Sequence, residues 1–108
     1  MSDTFLGEFE QMVLLSVLRL GDDAYGLAVK DELEGVAGRS PSSGSLYTTI
    51  ERLERKGLLA SRAGESSSER GGRPRRYLEV TPEGTEALSM SRGRLLALWD
   101  GIEGALER

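Results

Sequence analysis

The 108-residue chain contains neither cysteine nor histidine. Without cysteine there can be no disulfide, thiolate nucleophile or cysteine-held zinc, a pattern that fits a reducing compartment. Without histidine the commonest metal ligand and the commonest general base are missing. Aromatic residues make up only 6% of the chain, one of them a tryptophan. No uncharged apolar run approaches the roughly 20 residues that span a bilayer. The N-terminal MSDTFLGEFE is acidic where a signal peptide would be basic. The expectation is a cytoplasmic protein that binds no membrane, metal or cofactor. An enzyme would have to work with Asp, Glu, Lys, Ser or Tyr, and no convergent carboxylate pair is visible. The Gly-rich stretch near residues 64–72 lacks the G-K-[ST] ending of a phosphate-binding loop, so its glycines read as hairpin chemistry.

With 38% hydrophobic residues the chain has enough apolar material for one modest aliphatic core. Some of its apolar surface calls for a partner chain. The net charge of −4 hides a strong asymmetry. Residues 1–38 hold 2 basic and 8 acidic side chains, residues 39–78 hold 9 and 4, and residues 79–108 hold 3 and 6. The middle segment is therefore positive between acidic flanks, and local field rather than total charge steers a polyanion. A solvated charge block is the plainer alternative.

Phe5, Phe9, Val13, Val17 and Leu20 recur at helical spacing, widened by Met12, Leu14, Leu15 and Leu18, and predict a scaffold helix over 5–20 ended by Gly21. Tyr25, Val29, Leu33 and Val36 predict a second over 24–36, facing inward, ended by Gly35 and Gly38. Ser40-Pro41 reads as an N-cap and N1 proline opening a third helix to Lys56, with the seam Leu46, Ile50, Leu53. At about 100° per residue, Gly44, Thr48 and Arg55 point away from that seam, with Ser45 and Arg52 on its flank. Gly57 ends it. Short strands at 58–62 and 76–80 flank a Ser/Glu/Gly-rich tip. Thr81-Pro82 repeats the cap-plus-proline signal and opens a last helix running towards the C-terminus. Its positions Leu88, Leu95, Trp99, Ile102 and Leu106 approach a heptad seam. The fold class is mainly α with a small β-hairpin: a winged helix-turn-helix over 1–81 plus a C-terminal dimerisation helix over 82–108. One helix for a major groove and one basic wing for the flanking backbone is what such a fold offers a duplex.

The candidate contacts divide into two groups. Ser42, Ser45 and Thr48 place short hydroxyls near a helix N-terminus, where N–H groups and the dipole favour phosphate; capping is the alternative, above all for Ser42. Arg52 reaches towards phosphate or a guanine edge, or else pairs with a glutamate. Arg70, Arg73, Arg75 and Arg76 form the densest positive cluster, stiffened by Pro74, suited to clamping phosphate or entering a minor groove. A solvated loop is the alternative there.

The order of these parts resembles the PadR family of bacterial transcription regulators. The carrying residues are Asp23-Ala24-Tyr25-Gly26, Gly44-Ser45-Leu46-Tyr47, Leu53-Glu54 with Gly57-Leu58, Arg75-Arg76-Tyr77, and Thr81 with Gly84. The match spans nearly the whole chain, and the single C-terminal helix is similar to the short subgroup. The resemblance implies dimerisation through that helix and a Tyr47 at the DNA face, where its hydroxyl donates to phosphate. It further implies that a small aromatic effector could stack on Trp99 at the two-fold axis, although plain packing across the interface accounts for Trp99 equally. The expected function is a homodimeric, sequence-specific DNA-binding regulator, a repressor on a palindromic operator. The competing class is a winged-helix protein-interaction module that does not bind DNA, which the acidic first helix favours.

Overall fold

The computed structural model describes residues 5–66 and 74–106. Four helices and one hairpin follow in the order α1 (Glu8–Leu20), α2 (Gly26–Ala37), α3 (Ser43–Arg55), β1 (Leu59–Ser66), β2 (Pro74–Val80) and α4 (Pro82–Trp99). A 3₁₀ turn, Gly21–Asp23, joins α1 to α2, and another, Glu103–Leu106, follows α4. The mainly α fold with a two-stranded antiparallel hairpin read from the sequence is the one observed.

Helix α1 is the scaffold. Val13, Leu14 and Val17 are buried against α2 and α3, while Leu15 and Leu18 on the same helix stay exposed. Gly21 ends α1 with φ +58°, a conformation open to glycine and strained for most L-residues. The chain then runs extended through Ala24 and Tyr25. Leu78 N–H donates to the Ala24 carbonyl at 2.7 Å, and Tyr25 pairs with Tyr77 in an isolated antiparallel bridge. This short third lane of the wing sheet is absent from the sequence reading, because two paired residues leave no alternation to detect.

Two helix boundaries differ from expectation. The N-cap of α3 is Ser42 rather than Ser40: its Oγ accepts from Ser45 N–H at 3.1 Å. Pro41 therefore precedes the cap and is not the first helical residue. Val36, expected to face inward, is exposed, because it lies in the last turn of α2 at the rim of an open depression shared with Met12 and Leu15 of α1. The expected strands are present and longer, with Leu59 opposite Val80 and Arg62 opposite Tyr77.

Thr81 caps α4 as read, accepting from Gly84 N–H at 3.0 Å and donating to the Gly57 carbonyl at 2.7 Å, with Pro82 following it. Gly84 packs so tightly on the Leu58 carbonyl and the Val80 side chain that a Cβ there would overlap both. The core joins Val13, Leu14, Val29, Leu33, Leu46 and Leu53, all at or near full burial, to Leu58, Leu78 and Leu88 from the wing and α4.

The C-terminal helix departs most from expectation. It ends at Trp99, and Gly101 with φ +85° turns the chain. Ile102 and Leu106 thus lie beyond a break and do not continue one seam with Leu95 and Trp99. Leu88 is buried at 8% exposure in the core of its own subunit, because it lies on the α4 turn that closes over the wing.

A candidate nucleic-acid interface on α3 and the wing

Helix α3 separates its two sides cleanly. Leu46, Thr49, Ile50 and Leu53 are buried, while Ser45, Tyr47, Thr48 and Arg52 are exposed. Thr49 is buried without cost because its hydroxyl donates to the Ser45 carbonyl at 3.0 Å. Ser42 is exposed but committed to the cap. Ser45 and Thr48 present their hydroxyls one turn apart in the first half of the helix.

Tyr47 is 53% exposed and leans over the first residue of α2. A Cβ at Gly26 would stand 2.6 Å from the Tyr47 hydroxyl oxygen. The glycine of the Tyr25-Gly26 pair therefore makes room for the tyrosine of the Leu46-Tyr47 pair. Between them opens a cleft of about 250 Å³, walled by Tyr25, Leu27, Tyr47, Ile50, Arg75 and Leu78. It joins the exposed side of α3 to the wing.

The arginines of the wing fall into separate classes. Arg76 is held inside the subunit: its Nη2 donates to both Glu54 carboxylate oxygens at 3.0 and 3.1 Å, and its Nε donates to Ser61 Oγ at 3.0 Å. Ser61 in turn donates to Glu54 at 2.8 Å. One carboxylate on α3 thereby fastens both wing strands to the recognition helix. Arg75 has no carboxylate partner among the described residues and lies 4.0 Å from the Tyr25 ring centroid. Arg70 and Arg73 fall outside the described residues.

A second acid sits under the C-terminal end of α3. Glu10 is only 7% exposed, accepts from Lys56 Nζ at 2.8 Å and from Gly7 N–H at 3.0 Å, and lies 4.0 Å from Arg52. Burial opposes its charged form. The Lys56 hydrogen bond, the Gly7 N–H and the charges of Lys56 and Arg52 outweigh that and hold the carboxyl below its usual value. Arg52 keeps 46% of its side chain exposed and makes no hydrogen bond to Glu10, its Nη1 standing 4.0 Å from that carboxylate. The sequence reading gives Glu10 no role and Glu54 only its place in the Leu53-Glu54 pair, because their partners lie 46 and 22 residues away.

Leu95, Leu98, Trp99, Ile102 and Leu106 are all exposed on the single subunit. The first four line a shallow depression of about 120 Å³. Among the described residues there is no group of three or more acidic side chains placed to hold a metal ion. No described helix is long and apolar enough to cross a membrane.

The family model "Transcriptional regulator PadR-like family" matches residues 14–90. That span includes α2, α3, the wing and the first half of α4. The fold is similar to the crystal structure of a PadR family transcriptional regulator from Eggerthella lenta, at 32% identity and TM-score 0.69, covering 93% of this chain and 87% of that one. A PadR-like transcription factor from Bacteroides fragilis is 27% identical with TM-score 0.63, covering 92% and 86%. A PadR-like regulator from Bacillus cereus shares the fold at 21% identity and TM-score 0.73, covering 93% and 92%. Comparison with curated proteins finds no match.

Proposed function

The chain belongs to the PadR-like family of transcriptional regulators, and from that premise we propose that it is a homodimeric repressor of a palindromic operator. The observation that carries the reading is the exposed Ser45, Tyr47, Thr48 and Arg52 side of α3, opposite a fully buried seam and adjoining the wing. Short hydroxyls let such a helix approach the major groove closely, and Arg52 supplies a donor fork for phosphate or guanine. Ser42 keeps the first turn of the helix in place, and Arg75 with Arg73 supplies the wing contact. Arg76 acts through Glu54 by fixing the wing against α3.

Dimerisation through α4 supports the same reading. The exposed Leu95, Leu98 and Trp99 form an apolar surface with no cover in the single subunit. A second copy would cover it and set two α3 helices about 34 Å apart, one turn of duplex. The depression beside Trp99 is the place for a small aromatic effector in the assembled dimer.

Footprinting on the protein's own promoter region tests this. Two protected half-sites with centres one helical turn apart are expected, and a reporter downstream should rise when the gene is deleted. No binding at low salt to any promoter fragment would leave the protein-interaction module as the reading. Tryptophan quenching by an aromatic compound, with release of the duplex, tests the effector.

A further inference from the structure

The wing carries one cation, Arg62, that neither the recognition helix nor the Arg70–Arg76 cluster includes, and a row of rings joins it to Arg75 of that cluster. Successive strand residues point to opposite faces. Leu59 and Leu78 are buried on the core side, with Ser61 and Arg76 sharing that face. Arg62 and Tyr77 therefore stand on the outer face, and Arg75 lies at the edge of the cleft between Tyr25 and Tyr47.

There the register lines them up. Tyr77 faces Arg62 across the hairpin and Tyr25 across the bridge, so Arg62, Tyr77 and Tyr25 lie side by side over three lanes of backbone. Arg75, two residues before Tyr77, lies above Tyr25. The contacts alternate cation and ring: Arg75 is 4.0 Å from the Tyr25 centroid, and Tyr25 meets Tyr77 edge-on at 5.9 Å. Arg62 completes the row at 5.0 Å from the Tyr77 centroid.

This arrangement matters for what the two guanidiniums can still do. A ring face attracts a guanidinium without supplying a hydrogen-bond acceptor, so it leaves the in-plane N–H donors available to a ligand. No carboxylate lies within ion-pairing distance of either arginine among the described residues, in contrast to Arg76 on the opposite face. Arg62 is exposed and Arg75 half-buried, so both are reachable.

We propose that Arg62 and Arg75 form a phosphate-binding pair on the wing sheet, with Arg62 a DNA contact outside the hairpin tip. The pair extends the footprint along the backbone beyond what α3 covers. It rests on the duplex-binding reading above, which already uses Arg75, and adds Arg62 to it as a further phosphate contact.

The test is fluorescence anisotropy of the full chain with a labelled promoter duplex and a scrambled duplex, from 50 to 200 mM salt. Each phosphate contact contributes about 0.9 to the slope of log affinity against log salt. Arg62→Gln should lower the slope by about 0.9 on both duplexes and weaken binding roughly eightfold near 100 mM. Arg62→Lys keeps the charge and should retain the slope. Thermal melting of both variants near the wild-type midpoint shows that the fold is intact. A wild-type slope for Arg62→Gln on both duplexes overturns the proposal, because the row would then only pack the wing. Loss confined to the promoter duplex at unchanged slope also overturns it, since that is base reading. Failure of the wild-type chain to bind either duplex overturns the duplex-binding reading itself, and this proposal with it.

Discussion

Glu54→Gln should make DNA binding less selective while making it more salt-dependent. In the wild-type chain Glu54 accepts two hydrogen bonds from Arg76 and one from Ser61, so its charge neutralises Arg76 and ties α3 to both wing strands. The Arg76 side chain is 63% exposed and Glu54 22%, which keeps the pair in the range of surface ion pairs. One Nη2 shared between both carboxylate oxygens, with Ser61 bridging Nε to Glu54, places it near the top of that range, at about 1 kcal/mol. For a domain of this size that corresponds to a midpoint lower by roughly 4–8 °C. The amide cannot neutralise the guanidinium, so Arg76 becomes free to meet a phosphate. One added contact raises the salt slope by about 0.9, equivalent to a further factor of roughly 3.5 between 50 and 200 mM. Binding to scrambled duplex should tighten at 50 mM, while the promoter duplex gains less because the wing is no longer fixed against α3. Arg76→Gln should show the same loss of stability with no rise in slope. Anisotropy titrations on both duplexes, with thermal melting of each variant, provide the readout. If Glu54→Gln leaves both slope and melting midpoint at the wild-type values, the clamp has no role and the sorting of the wing arginines is wrong.

Gly84→Ala gains about 1 kcal/mol of helix propensity but drives a Cβ into the Leu58 carbonyl, and overpacking of that kind costs about 1–3 kcal/mol. The expected net is a lower melting midpoint, and a rise in thermal melting would show that the approach of α4 to the wing is loose. Glu10 has a folded-state pKa held below its usual value of 4.5, so its contribution is present above that value and is lost as pH falls through the lowered one. Denaturant midpoints should therefore drop below about pH 4.5 more steeply for the wild type than for Glu10→Gln, and parallel curves would remove Glu10 from acid stability. Leu98→Glu places a charge at the most exposed leucine of α4, and light scattering should report the mass of one chain where the wild type reports two. An unchanged mass would move the dimer interface away from α4.

The sequence carried most of the fold because its signals are local. Thr81-Pro82 and Gly57 act within one turn of themselves, and the Leu46–Ile50–Leu53 seam needs only the helical period to be seen. What was lost depends on distance or on competition between equivalent candidates. Ser40 and Ser42 offer the same capping chemistry, and which one caps is decided by where α2 releases the chain at Gly38. The end of α4 was overlooked because Leu95, Trp99, Ile102 and Leu106 keep their spacing through a glycine that adopts positive φ. In the site, Tyr47 and Gly26 were both visible as motif residues, but that one exists to accommodate the other emerges only when α2 and α3 are packed. Arg62 drew no notice as a lone cation. Its significance comes from register, since the pairing that sets it opposite Tyr77 also brings Tyr25 alongside.

The same pairings explain how an acidic chain presents a basic face. Of the cations between residues 39 and 78, Arg39 pairs with Glu8, Lys56 with Glu10 and Arg76 with Glu54. Two of those acids come from α1, so the acidic first helix acts partly as an internal counterion for its neighbours. Arg55, Arg62 and Arg75 have no carboxylate within ion-pairing distance among the described residues, and Arg52 stands at 4.0 Å from Glu10 without a hydrogen bond to it. Fewer free cations mean a shallower salt slope than the count of nine bases suggests. They also mean weaker attraction to arbitrary duplex, because non-specific binding rests almost wholly on that term. In the proposed duplex contact the base readers are a few hydroxyls and one arginine, so discrimination there would depend on how rigidly they and the wing are held relative to each other. Glu10 fixes the end of α3 and Glu54 fixes the wing to it. Lowering non-specific attraction while stiffening the readers is one physical change with two effects, produced by the same two carboxylates.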